Sequence, residues 1–184
     1  MSEELAFVAF QKIARLNRDI VITEKIDGTN ACVVVSPDGL ELQAASRTRN
    51  IFPGQDNFGF AQWCQINKTE LLKLGPGRHY GEWWGVGIQR GYNLFERRFS
   101  LFNTHKWSDP AVRPSVCSVV PVLYRGQFDT VRISETIGRL AATGSQAAPG
   151  FDKPEGIVIH HAASGQLFKV TVENDESPKG AITK

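Results

Sequence analysis

Glu24-Lys25-Ile26-Asp27-Gly28-Thr29-Asn30 is the stretch on which the reading of this chain turns. An apolar run, Ile20-Val21-Ile22, precedes it, and a second, Ala31-Cys32-Val33-Val34-Val35, follows. The pattern predicts strand, tight turn, strand, with one lysine two residues before an Asp-Gly pair. Such a turn can hold a single amine rigidly toward a phosphate. A lysine attacks at neutral pH only when desolvation or a neighbouring cation keeps it deprotonated. Asp-Gly is also the common two-residue hairpin turn, and a nearby lysine is then simply solvated. The stretch alone leaves both readings open.

Working outward, Leu5 to Arg15 carries apolar residues at 5, 6, 8, 9 and 13 and predicts a short helix. Strands are expected around 19–24, 31–36 and 40–46, with Pro37-Asp38-Gly39 turning between the last two. A loop at 51–57 leads to a helix from Phe58 to Leu74, closed by Gly75-Pro76-Gly77. Arg78–Trp84 and Arg98–Phe102 read as strands, and Val116–Tyr124 as an apolar run broken by Pro121. Ser134 caps an expected helix running to Ala142, and residues 144–153 form a loop of small residues. Gly156–His160 and Gln166–Val172 make a closing hairpin, after which the chain turns polar. Hairpin-like turns outnumber strand–helix–strand crossovers, so the expected class is α+β with mostly antiparallel sheets and flanking helices, in one domain over 1–184. Gly85-Val86-Gly87-Ile88-Gln89-Arg90-Gly91 misses a GxGxxG spacing by one residue and opens no evident helix, and no Walker phosphate loop is present.

Composition narrows the class further. The 184 residues are 41% hydrophobic and 22% charged, as in an ordinary globular protein. The net charge of +2 does not announce a nucleic-acid binder. Locally, Arg47 and Arg49 cluster, and five Lys/Arg face two acidic residues between Arg90 and Arg113. Gln89-Arg90-Gly91-Tyr92 sets a cation beside a ring, as a strand backbone and an unstacked base would require. Trp83 and Trp84 must point to opposite faces of a strand, one into the core and the other outward. Cys32, Cys64 and Cys117 form no CxxC pair, which fits buried thiols in a reducing compartment rather than a disulfide frame or zinc site. No apolar run approaches the ~20 residues of a membrane helix, and no signal peptide is visible. The expectation is a cytoplasmic monomer.

Five further segments join the lysine motif in order: Ala45-Ser46-Arg47-Thr48-Arg49, Tyr80-Gly81-Glu82-Trp83-Trp84-Gly85, Phe99-Ser100-Leu101-Phe102-Asn103, Pro154-Glu155-Gly156-Ile157-Val158-Ile159 and Leu167-Phe168-Lys169-Val170. The set resembles the covalent nucleotidyltransferases, that is, polynucleotide ligases and mRNA capping enzymes. Its wording around Lys25 is most similar to the RNA ligases of the phage T4 RNA ligase 2 group. The resemblance implies the nucleotidyltransferase catalytic fold and an ATP-dependent RNA ligase acting through a lysyl-AMP intermediate. A DNA ligase, a GTP-using capping-type transferase and a non-catalytic nucleotide- or RNA-end-binding protein stay open beside it. It implies ATP and Mg²⁺ (or Mn²⁺) as cofactors and RNA ends or a nicked duplex as partner.

By the same resemblance, Lys25 is the nucleophile, Asp27 orients it or a metal-bound water, and Lys169 contacts the α-phosphate. Glu24 reads the adenine edge, Phe102 stacks on the purine, and Asn30 and Arg47 contact nucleotide or RNA end. Glu82 serves the ribose or the metal, and Glu155 holds the metal; hard carboxylate oxygens suit Mg²⁺. Two departures stand out. The family's last motif has Lys-x-Lys, whereas this chain has Lys169-Val170-Thr171. Only 15 residues follow Lys169, so the expectation is a bare catalytic domain without a C-terminal accessory domain, with room for a partner to supply one.

Overall fold

The structure is a computed structural model that describes residues 6–176. Two antiparallel-rich sheets form its frame. Strand β1 (Asp19–Lys25) buries Ile20, Ile22 and Glu24 and leaves Val21, Thr23 and Lys25 half-covered, the period of two expected of a strand with two unlike faces. It is central in a four-stranded sheet of order β7-β1-β8-β9, with β7 (Val122–Gln127), β8 (Gly156–His161) and β9 (Gln166–Thr171). Strands β2 (Thr29–Val35), β3 (Leu42–Ser46), β4 (Gly77–Gly85), β5 (Arg97–Leu101) and β6 (Cys117–Val119) make a five-stranded sheet of order β3-β2-β4-β5-β6. Only β5–β6 is parallel among these pairings, so the α+β, mostly antiparallel expectation holds.

Each sheet has one face closed by helices. Helix α1 (Phe60–Ile66) and the short α2 (Lys68–Leu71) pack Phe60, Cys64 and Leu71 against Val33, Val35, Trp83, Phe99 and Leu101 of the five-stranded sheet. A four-residue helix α3 (Thr104–Trp107) adds Trp107 to this core. Helix α4 (Thr130–Thr143) turns Ile133, Ile137 and Leu140 toward Ile20, Ile22, Ile157 and Ile159 of the other sheet. Those spacings are the i, i+4, i+7 stripe of an amphipathic helix. No helix among the described residues is long and apolar enough to cross a membrane.

Several local expectations change. Residues 6–15 form no helix, and Phe7, Val8, Phe10 and Ile13 are exposed; Leu5 lies outside the described residues. An isolated eleven-residue amphipathic segment is marginal unless packing covers its apolar face. The helix expected over Phe58–Leu74 starts at Phe60, because Phe58 and Gly59 are left-handed, and it breaks at Asn67. Asp56 supplies its cap, accepting from the Gly59, Ala61 and Gln62 N–H groups. Asp129, not Ser134, caps α4, accepting from Val131 N–H at 2.8 Å. Pro121 divides the 116–124 run between the two sheets, and its carbonyl accepts from Glu24 N–H.

Candidate active site

Lys25 and Thr29 belong to different sheets. The Asp27-Gly28 turn is therefore a crossing between sheets rather than a hairpin. Its glycine is required by space: a Cβ on Gly28 would lie 2.5 Å from the Trp83 carbonyl oxygen and 2.7 Å from the Trp84 Cβ. This close approach lets Gly28 N–H donate to Glu82 Oε1 at 3.1 Å. The register sets the rest. Lys25 pairs with Gly156, next to Glu155, and Asn30 pairs with Glu82. Residues separated by 130 positions thus meet, and Lys25 Nζ donates to Glu155 Oε2 at 2.6 Å. The glutamate side chain is 6% exposed and the lysine 23%.

Three carboxylates surround this amine. Asp27 is buried, its N–H donates to Tyr92 Oη at 2.7 Å, and its Oδ2 accepts from Arg90 Nε at 3.0 Å. Burial pushes the Glu82 carboxyl up to about 7; Lys25 and the Gly28 N–H pull it down, while Glu155 and Asp27 push it up. The elevation marks a site where negative charge is crowded and poorly solvated. A divalent cation fits such a donor set. Glu82 and Glu155 offer hard oxygens, and no cluster of three His, Cys, Asp or Glu ligands exists among the described residues. Phosphate and water would complete the shell, as is usual for Mg²⁺.

The remaining expected residues divide into two groups. Asn30, half-buried, lies on the same sheet face as Glu82, because directly paired residues share a face. Phe102 follows β5, is 40% exposed, and its N–H donates to the Tyr80 carbonyl, beside that face. Lys169 pairs with Val158, which pairs with Thr23, so it projects from the Lys25 face of its sheet, roughly 12 Å away by strand geometry. Arg47 lies in the exposed turn after β3. Glu24 is the exception. It points to the opposite face of β1 from Lys25, is 1% exposed, and both its oxygens are taken. Ser145 Oγ donates to Oε1 at 2.5 Å, and the Gln146 and Ala147 N–H groups donate to Oε2. A carboxylate so engaged fastens the loop after α4. Burial still raises its pKa despite those three donors.

The basic surface also differs from expectation. Arg97 donates to the Val86 and Phe58 carbonyls, Arg98 pairs with Glu96 and lies over Trp84, and Arg90 is bound to Asp27. Tyr92 is 1% exposed and touches Trp84 and Phe151, so the Arg90–Tyr92 segment presents no ring to solvent. Trp84 is as buried as Trp83, because that same cluster covers its face. Three outward cations, Arg47, Arg49 and Arg78, line a cleft of about 200 Å³ together with Thr48 and Tyr80. Arg78, Tyr80 and Glu82 alternate along β4 and share one face, so the cleft continues the face that carries Glu82. Arg78 escaped the sequence reading because alternation becomes informative only once the inward face is known. Arg90 gave a signal, a cation in a loop after the Glu82 strand, but its partner lies 63 residues away.

The model of the RNA ligase family matches residues 18–171, most of the chain. No curated protein matches the sequence. Among solved structures, a mutant of Naegleria gruberi RNA ligase with ATP and Mn is similar at a TM-score of 0.60 and 20% identity, over 85% of this chain and 50% of that one. A second mutant of that ligase, with AMP and Mn, is similar at 0.59 and 21% identity over the same shares. An apo mutant gives 0.58 and 21%, over 84% of this chain and 50% of that one. The chain thus spans about half the length of the solved structures it matches. At this identity the likeness concerns the fold alone.

Proposed function

The chain belongs to the RNA ligase family, and on that footing we propose that it is an ATP-dependent RNA ligase in which Lys25 carries AMP. The observation that carries the proposal is the convergence of Lys25, Glu155, Glu82 and Asp27 at one crossing between the sheets. In the first step the Lys25 nitrogen attacks the α-phosphorus of ATP. An N–P bond forms, the P–O bond to the β-phosphate breaks, and pyrophosphate leaves. Lys25 must lose its proton for this, and the Glu155 carboxylate 2.6 Å away is placed to hold the ammonium and to take that proton. Lys169, on the same face of its sheet, supplies positive charge toward the phosphate oxygens. A divalent cation held by Glu82 and Glu155 would supply Lewis-acid charge there. AMP then passes to a 5′-phosphate, and a 3′-hydroxyl displaces it, sealing the strand. The cleft of Arg47, Arg49 and Arg78 supports strand binding, since three outward cations around a half-exposed tyrosine suit a phosphate backbone and a base.

Thr171 favours a second reading, a protein that binds nucleotide and RNA ends without sealing them. Its hydroxyl donates to the Glu173 carbonyl and to Asp175, so it does not replace the second lysine of the family motif. One experiment separates the two. Intact mass after incubation with ATP and Mg²⁺ should show one added AMP, absent in Lys25→Ala. An unmodified wild-type chain would support the binding protein, and an adduct surviving in Lys25→Ala would remove Lys25 as nucleophile. Nicked RNA and nicked DNA duplexes, offered to the adenylylated chain, then decide the substrate.

A further inference from the structure

Arg90 and Tyr92 lie in the loop 86–96 that joins β4 to β5. Gln89, Tyr92 and Asn93 adopt positive φ angles of 45°, 54° and 55° there. Left-handed backbone at non-glycine residues is strained and persists only where the surroundings enforce it. Here the enforcement is visible. The Tyr92 ring packs 4.9 Å from Trp84 and 4.6 Å from Phe151, and the fixed ring places its hydroxyl oxygen against Asp27 N–H. Two residues earlier, Arg90 makes a fork. Its Nε donates to Asp27 Oδ2 at 3.0 Å, and its Nη1 donates to the Lys153 carbonyl at 2.9 Å and the Pro154 carbonyl at 3.5 Å.

One side of the fork therefore grips a residue two positions after the nucleophile. The other grips the backbone immediately before Glu155. We infer that Arg90 is a positioning residue for adenylyl transfer: it fixes the spacing between Lys25 and Glu155 by holding Asp27 and the 153–154 backbone on one rigid plane. The inference rests on the proposed lysyl-AMP chemistry. It assigns Arg90 no contact with ATP or RNA. A lysine could keep the charge but not the fork, because its ammonium is a point donor on a flexible stem.

The test uses the full chain with Arg90→Ala, Arg90→Lys, Asp27→Ala and the Arg90→Ala/Asp27→Ala double variant. Single-turnover Lys25 adenylylation is followed across ATP concentrations. Arg90→Ala should be slower at saturating ATP by on the order of 30- to 100-fold, the scale of a small misplacement, with the half-saturating ATP concentration moved by less than about threefold. Arg90→Lys should resemble Arg90→Ala, and added guanidinium should restore part of the rate to Arg90→Ala only. The double variant should be no more than about threefold slower than Asp27→Ala, since groups that act through one another are not additive. Amide hydrogen exchange without ATP provides an independent readout. Amides at 25–28 and 153–156 should exchange about tenfold faster in Arg90→Ala, while those of α4 keep their protection. Wild-type rates in Arg90→Ala, multiplicative losses in the double variant, or unchanged exchange at both segments would each overturn the inference. Should the wild-type chain take up no AMP, the proposed function fails and the exchange measurement still decides whether Arg90 grips the two segments.

Discussion

Replacing Glu82 by glutamine removes a titration that the fold has displaced. Burial lifts the Glu82 carboxyl from an ordinary 4.5 to about 7, although Lys25 and the Gly28 N–H both favour its ionised form. A displacement of that size is worth about 3 kcal/mol, at roughly 1.4 kcal/mol per unit. Between the two values the folded chain keeps a proton that the unfolded chain has released. Stability from this group is therefore full below the unfolded value, falls as pH rises through the window, and levels off above about pH 7. The Glu82→Gln amide can still accept from Gly28 N–H but has no proton to lose. Urea unfolding of both proteins, at intervals from about pH 4 to about pH 8, gives the difference, wild type minus variant, in which the other titrating groups largely cancel. That difference should fall by about 2–3 kcal/mol across the window. A flat difference would mean that Glu82 titrates as an ordinary carboxylate. A rising one would mean that Lys25 outweighs burial, and either result refutes the argument.

Three further substitutions read other parts of the construction. Gly28→Ala forces a methyl against the Trp83 carbonyl and Trp84 Cβ and should lower the unfolding free energy by about 3 kcal/mol in urea titrations, with adenylylation lost as well. Asp129→Ala removes the α4 cap and should cost about 1 kcal/mol by the same measurement, leaving adenylylation unchanged. Arg49→Ala and Arg78→Ala should each weaken RNA binding and reduce the slope of log affinity against log salt by about 1, with Lys25 adenylylation unaffected; an unchanged slope would remove that arginine from the strand contacts.

Much of the frame was legible because strands announce themselves by alternation and helices by stripes. The strands around 19–24, 31–36, 78–84 and 98–102, and the closing hairpin, all follow from side chains that must choose a face. What the sequence could not supply was which strands share a sheet. The Asp27-Gly28 turn and Pro121 look like local punctuation, yet each carries the chain between sheets, because pairing is settled by partners a hundred residues distant. The same limit explains Glu24. Glu24 and Lys25 adjoin in the motif but, as neighbours in a strand, face opposite ways, so the partners of Glu24 come from a loop 121 residues on. Ser145, Gln146 and Ala147, which take up its carboxylate, carry no motif of their own.

The division of labour between faces then accounts for where chemistry can occur. Helices α1 and α4 close the outer faces of the two sheets, and the apolar clusters beneath them need no help from the inner faces. Those inner faces are free to carry groups that a core would reject: Lys25 and Lys169 on one sheet, Glu82, Tyr80 and Arg78 on the other. Their cost is confined to the crossing, where Glu82 is short of positive charge and Asp27 is held by Tyr92 and Arg90. A buried carboxylate with a raised pKa is stabilised in its charged form by an arriving cation, which offsets the charge that burial made unfavourable. The strain in loop 86–96 and the pairing of Lys25 with Glu155 follow the same logic. On the proposed chemistry, the free domain already holds Lys25 against Glu155 at 2.6 Å, and binding need only exchange partners there.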